Sequence, residues 1–323
     1  MRVRDAFVLI WSLALPGLAV AGEEAGSADG GTGPRRLAVD DYFRIRDVGD
    51  PRVSPDGRWI AFTVTTEDLE EDESSTRIWM VPGAGGEAIA LTAEGESSSR
   101  PRWSPDGRYL SFLSARAKGE SQVWLLYRGG GEAVRVTDTA QGVSAYEWSP
   151  DGTRMVLVLR DPKPEQLEAK EQGEDYEEKT PKPWVVDREQ FKQDYTGYLD
   201  RRRTHLWVLD VESKELSRIT GGDFDDSEPA WSPDGTRIAF VSNRTDDADL
   251  NYNSDIWVVS AEPPVVAEPA EGEEPVEPTF RELVRVTSNP GPDASPRWSP
   301  DGTVIAHTAV TDVEAMLYAT QHL

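Results

Sequence analysis

The stretch Pro101-Arg-Trp-Ser-Pro-Asp-Gly107-Arg-Tyr-Leu-Ser-Phe112 decides the fold. Its centre, Ser-Pro-Asp-Gly, reads as a tight turn. Proline fixes its own φ, aspartate can bond the backbone, and glycine accepts positive φ. The aromatic residue before the turn and the apolar alternation after it are the ends of two strands joined there. The phrase returns as Pro51-Arg-Val-Ser-Pro-Asp-Gly57, Glu147-Trp-Ser-Pro-Asp-Gly152, Pro229-Ala-Trp-Ser-Pro-Asp-Gly235 and Pro296-Arg-Trp-Ser-Pro-Asp-Gly302. Five turns are therefore marked by Asp56 and Gly57, Asp106 and Gly107, Asp151 and Gly152, Asp234 and Gly235, and Asp301 and Gly302. Their aspartates are separated by 50, 45, 83 and 67 residues.

A second phrase follows each turn: Ile78-Trp-Met-Val81, Val123-Trp-Leu-Leu126, Leu206-Trp-Val-Leu209, Ile256-Trp-Val-Val259 and, weakly, Met316-Leu-Tyr318. These runs read as strands buried on both faces. Leu91-Thr92, Val136-Thr137, Ile219-Thr220 and Val286-Thr287 close four of the units. Four short strands repeated at roughly 45 residues are the signature of a propeller blade. The expected fold class is all-β, a propeller of four-stranded antiparallel blades with WD40-like repeats. About five blades start near residues 50, 100, 145, 228 and 295, within a domain spanning 38–323. Trp103, Trp148, Trp231 and Trp298 are expected to pack between blades, where a flat ring fills the wedge between twisted sheets.

The remaining sequence divides into a leader and two insertions. Arg2 and Arg4, an apolar run over 6–18 and Ala19-Val-Ala21 read as a signal peptide over 1–21, implying a secreted or periplasmic protein. Residues 22–37 should be a disordered leader. Ala38 to Val48 is expected as a short helix capped by Asp40 or Asp41, with Tyr42, Phe43, Ile45 and Val48 covering part of the first blade. The insertion over 160–203 opens with a Glu/Lys-rich stretch, read as a solvated helix or a disordered loop. Pro183-Trp-Val-Val186 is read as strand-like, and Phe191, Tyr195, Tyr198 and Leu199 as one helical face. Tyr195, Tyr198, Arg201, Arg202 and Arg203 are the candidates for substrate contact. Either these arginines hold a carboxylate or carbonyl of a ligand, or they neutralise nearby acids. The proline-rich insertion over 261–279 reads as an extended or flexible loop.

The formal net charge of −25 disfavours nucleic acid and anionic membranes. No membrane attachment is expected once the signal is cleaved. With no cysteine and only His205, His307 and His322, neither a metal site nor a cofactor is expected. The clusters 223–228 and 246–249 are acidic enough to suggest calcium but do not match its twelve-residue loop. Asn243-Arg-Thr245 matches the glycosylation triplet. There is no Gly-x-Ser-x-Gly nucleophile elbow; Gly142-Val-Ser-Ala-Tyr146 lacks the second glycine. No catalytic residue is assigned, and the chain alone is expected to be inactive.

The repeats, together with Val39-Asp-Asp-Tyr-Phe43, Tyr198-Leu-Asp-Arg-Arg-Arg203, Asp225-Asp-Ser-Glu-Pro-Ala-Trp231 and Phe240-Val-Ser-Asn-Arg-Thr245, resemble the propellers of TolB and of the prolyl oligopeptidase (S9) serine peptidase family. The nearer likeness is to the bacterial dipeptidyl-aminopeptidase and acylaminoacyl-peptidase branch. The resemblance implies an incomplete seven- or eight-bladed propeller that partners a C-terminal α/β-hydrolase domain absent from this chain. It further implies gating of short peptides in an exported serine exopeptidase. The alternative is a stand-alone TolB-like propeller that binds a protein partner. A five-bladed lyase or glycosidase would need inward-facing His or paired carboxylates, for which the isolated histidines offer little support.

Overall fold

The computed structural model describes residues 38–116, 119–174, 176, 183, 185–194, 196–265 and 278–313. The expected signal peptide and leader, Trp184, Tyr195, Met316 to Tyr318 and the centre of the 261–279 insertion lie outside these residues. The first sheet holds β1 (Asp47–Val53), β2 (Trp59–Asp68), β3 (Glu73–Pro82) and β4 (Ile89–Ala90). The second holds β5 (Ser98–Trp103), β6 (Tyr109–Ser114), β7 (Gln122–Tyr127) and β8 (Val134–Arg135). In the third, β9 (Ala145–Trp148) and β10 (Arg154–Arg160) are followed by α1 (Pro164–Gln172) and a small ladder of β11 (Lys192–Gln193) with β12 (Gly197–Tyr198). The sheet then resumes with β13 (Thr204–Asp210) and β14 (Leu216–Arg218). The fourth holds β15 (Asp226–Trp231), β16 (Arg237–Ser242), β17 (Asp255–Ser260) and β18 (Val284–Arg285). β19 (Asp293–Trp298) and β20 (Ile305–Ala309) pair in a fifth. Each larger sheet is an antiparallel meander in chain order, and among the described residues no sheet closes into a barrel. This is an all-β domain of propeller-like blades.

The repeated turn is held by a fixed set of bonds. Ser104 Oγ donates to Asp106 Oδ1 at 2.6 Å and accepts the Tyr109 N–H at 2.9 Å. The Gly107 N–H donates to Ser104 O, and Asp106 Oδ1 also accepts the Arg108 N–H. The same pattern recurs from Ser54, Ser149, Ser232 and Ser299. All five glycines sit at φ between 68° and 73°, the left-handed region that a Cβ disfavours. Proline has a second role beyond fixing φ. Pro55, Pro105, Pro150 and Pro233 each lie against the glycine of the next turn, 3.4–3.8 Å from where its Cβ would be. Successive turns therefore touch along one end of the sheets.

Threonine after the fourth strand closes each larger blade. The hydroxyls of Thr92, Thr137, Thr220 and Thr287 accept the N–H groups of Ile78, Val123, Leu206 and Ile256 at 2.8–3.0 Å. Neighbouring sheets are joined by tryptophan. Trp103 Nε1 donates to Arg52 O, Trp148 Nε1 to Ser111 Oγ, Trp231 Nε1 to Glu147 O and Trp298 Nε1 to Ala230 O. Each of these indoles reaches back to the preceding blade. Between sheets the core is apolar: Ile78 and Phe112 at one contact, Leu113, Tyr146 and Leu157 at the next, then Val156, Leu206, Ile238 and Phe240.

First strands of four blades carry a bulge with a non-glycine residue at positive φ: Asp50, Arg100, Glu228 and Ser295. Each precedes a proline, which disfavours the right-handed helical region for the residue before it. β9 has no such proline and pairs in straight register. There the Tyr146 hydroxyl reaches across to Arg100 O at 2.8 Å and Ser111 Oγ at 2.9 Å.

Three local expectations are corrected. Ala38 to Val48 forms a 3-10 helix only over Val39–Arg44, and Val48 belongs to β1. Tyr42, Ile45 and Val48 are exposed, so they do not cover the first blade. Pro183, Val185 and Val186 form no strand, because no neighbouring strand pairs with them. Phe191, Tyr198 and Leu199 share no helix: β11 and β12 form a hairpin in which Gly197 at φ 83° supports the reversal. Phe191 and Tyr198 meet across it, ring centroids 6.5 Å apart. The 261–279 insertion is pinned at its base by a two-bond bridge between Val265 and Thr279.

Candidate acidic cleft at the insertion end

Loops between second and third strands emerge at the end of the sheets opposite the repeated turns, and the 160–203 insertion is one of them. The first part of its Glu/Lys-rich opening forms α1, where Gln166 Oε1 accepts the Lys163 N–H and Gln166 Nε2 donates to Glu120. Farther on, the chain is tied to the β16–β17 loop by one carboxylate. Asp249 accepts from Arg188 Nε and Nη2 at 3.0 and 2.8 Å and from the N–H groups of Glu189 and Gln190. Although burial opposes the charge, these donors hold the Asp249 carboxyl below the usual aspartate range. Between the two segments lies a cleft of about 630 Å3, with Asp187, Glu189, Asp246 and Asp247 on its wall beside Phe191 and Leu250. Its charge and apolar patches suit a cationic group on an apolar stem.

The arginines singled out from the sequence are engaged by the chain's own acids. Arg201 Nη2 lies 3.0 Å from Asp187, Arg202 Nε 2.8 Å from Asp200, and Arg203 within 3.1 Å of both Asp223 and Asp225. Arg160 also pairs with Asp200 at 2.8 Å. Tyr198 is exposed, stacked on Phe191 with Lys192 over its ring. Tyr195 lies outside the described residues. Asn243 of the glycosylation triplet is partly buried, with Nδ2 donating to Asn251 Oδ1 and Oδ1 accepting from Thr245.

Beneath this end is a buried polar group that the sequence reading missed. His205, fully buried, lies with Nε2 3.6 Å from Asp161 and Nδ1 3.6 Å from Asp226. Asp226, also fully buried, accepts from Arg244 Nη2 at 2.7 Å. Arg244 in turn lies over the rings of Phe224 and Phe240. A clue was present in the sequence: Asp226 and Asp293 both open a first strand. Another buried group spans three blades. Arg102 Nε donates to Glu147 at 2.8 Å and its Nη1 to Asp50 at 2.9 Å. Burial lowers its proton affinity, but the two carboxylates more than offset this and keep it charged. Among the described residues, no three His, Asp or Glu side chains converge so as to hold a metal ion.

Comparison with known proteins places this geometry. Residues 43–179 match the family model of the TolB beta propeller domain. The uncharacterized peptidase YuxL of Bacillus subtilis (strain 168) is 30% identical over 223 residues, 69% of this chain and 34% of that protein. The chain thus spans about a third of the length of this curated relative. An acylaminoacyl peptidase of Pyrococcus horikoshii superposes with a TM-score of 0.58 at 17% identity, over 84% of this chain and 36% of that one. A TolB-type protein of Agrobacterium tumefaciens gives 0.51 at 20% identity, over 82% and 70%. The chain carries a β-propeller domain related, at low identity, both to TolB-type propellers and to the propellers of prolyl-oligopeptidase-type peptidases.

Proposed function

We propose that this chain is a recognition module, a propeller that binds a protein or peptide partner at its insertion end. The observation that carries the reading is the cleft walled by Asp187, Glu189, Asp246 and Asp247 beside Phe191 and Leu250. Its chemistry matches a peptide amino group or a basic side chain followed by an apolar one. The likeness to the TolB beta propeller domain supports a binding role. Titration with a short peptide bearing a free amino terminus, against its acetylated form, tests the reading. The free peptide should bind at least about tenfold more tightly, a difference of about 1.4 kcal/mol. Asp246→Asn with Asp247→Asn should remove that preference. Equal binding of both peptides would refute the site.

A second reading rests on the 30% identity to the YuxL peptidase. In it the propeller screens short peptides for an exported serine exopeptidase whose α/β-hydrolase domain supplies the catalysis. Supplied with such a domain, the chain should restrict cleavage to short peptides; equal cleavage of long and short substrates would eliminate it. Both readings use an exported protein, and amino-terminal sequencing of the mature chain should then begin at Gly22.

A further inference from the structure

The four boundaries between successive blades differ at the turn end in one respect. At the first, Arg128, just after β7, donates from Nη1 to Asp56 Oδ2 of the preceding turn at 2.9 Å. At the third, Arg154, the first residue of β10, lies 5.1 Å from the Trp231 ring centroid and donates from Nη2 to Gly235 O at 2.7 Å. At the fourth, Arg237, the first residue of β16, lies 4.7 Å from the Trp298 ring centroid. Each of these boundaries is filled by a guanidinium of the chain itself.

The second boundary lacks both arginines. Tyr109 opens β6 where Arg154 and Arg237 open their strands, and Val211 follows β13 where Arg128 follows β7. A cleft of about 410 Å3 lies there, lined by Tyr109, Tyr127, Trp148 and Val211 with Asp106, Glu132, Asp151 and Gly152 around them. Every group that receives an arginine elsewhere has its counterpart here. Trp148 stands for Trp231 and Trp298, Gly152 O for Gly235 O, and Asp106 Oδ2 for Asp56 Oδ2. Oδ1 of Asp106 and of Asp151 is already used within its own turn. The nearby Arg108 is largely exposed and is not among the lining residues; its Nε lies 4.0 Å from Asp106 Oδ2, beyond hydrogen-bond reach, so that oxygen still has room for a closer donor.

We infer that the cleft between the second and third blades is a socket for an arginine side chain supplied by a partner protein or peptide. The guest guanidinium stacks on Trp148 and donates to Gly152 O and Asp106 Oδ2, as the chain's own arginines do at the other boundaries. Aromatic faces attract a guanidinium through the ring quadrupole, and its planar fork suits the carbonyl and carboxylate together. The two tyrosines and Val211 accept its methylene stem. The socket lies at the opposite end of the sheets from the acidic cleft, and it stands whether or not that cleft binds a peptide.

The test uses the full chain labelled with 15N and the capped tripeptide Ac-Gly-Arg-Gly-NH2, with its citrulline and lysine analogues as controls. The Trp148 indole signal should shift with the arginine peptide. The citrulline peptide, which keeps the shape and loses the charge, should bind at least about tenfold more weakly. Tyr109→Arg and, separately, Val211→Arg fill the socket from within. Each should abolish the shift while the thermal midpoint stays level or rises, which shows that the variant is folded. An unmoved Trp148 signal, equal binding of arginine and citrulline peptides, or undiminished binding by a folded Tyr109→Arg variant would each overturn the assignment.

Discussion

The two ends of the sheets satisfy their polar groups by opposite means. At the turn end, a serine, buried in four of the five units, an aspartate two residues on and a backbone N–H five residues on complete one another, and the unit repeats five times. At the insertion end, the partners are far apart in sequence: Arg188 with Asp249, Arg203 with Asp223 and Asp225, and Arg244 with Asp226. A locally complete unit can be copied from blade to blade. A charge that depends on a remote partner cannot, because each copy needs its own partner. The turn itself is consequently regular from blade to blade, whereas the ion pairs at the insertion end differ from one blade to the next.

The largest effect should come from breaking a remote pair. Asp226→Ala leaves the Arg244 guanidinium buried without its carboxylate, and loss of one partner from such a pair costs about 3–5 kcal/mol. Urea denaturation should show it; a change under about 1 kcal/mol would mean that this end is not held by its ion pairs. Ser232→Ala acts on a single local unit. It removes the acceptor of the Arg237 N–H and the donor to Asp234, for a loss of about 1–3 kcal/mol. The Asp234 carboxyl, held at about 2 chiefly by that hydroxyl, should return toward its ordinary value in an NMR titration. Gly302→Ala forces a Cβ into the left-handed region at φ 70° and should cost about 1–2 kcal/mol. An unchanged midpoint would show that this turn relaxes freely.

Acid should separate the two ends with opposite signs. Asp234 and Asp301 have folded-state values of about 2, below the ordinary 3.8. Their contribution is present above 3.8 and is lost as pH falls toward 2. Asp255 is shifted the other way: burial raises its carboxyl, more than Arg285 lowers it. Its ionisation therefore destabilises the fold, and protonating it as pH falls toward 3.8 relieves that strain. Stability measured against pH in Asp255→Asn should lose this second component and keep the first. An unchanged profile would remove Asp255 from the account.

The strand pattern was legible because the Ser-Pro-Asp-Gly units and the Ile-Trp phrases carry their own geometry. Short stretches with no repeat to anchor them were misread. The spacing of Phe191, Tyr198 and Leu199 suits a helical face, yet Gly197 and the pairing of Lys192 with Tyr198 favour a hairpin. Val185 and Val186 have β-propensity but no partner strand, and propensity alone does not make a sheet. Of the acidic cleft, sequence reading noticed the aromatics and the acids separately. Nothing local tied Asp246 and Asp247 to Asp187 and Glu189, which come from another blade some sixty residues earlier.

By itself, the sequence determined that antiparallel units recur, where each one turns, and which tryptophan stands before each of the last four bends. Those properties depend on φ preferences and hydrogen bonds closed within a few residues, so they survive without knowledge of the rest of the chain. Only the tertiary structure decided which charges are buried together and which boundary lacks its arginine. Both depend on Coulomb and packing terms between blades, which act through space and leave no mark on neighbouring positions in the chain.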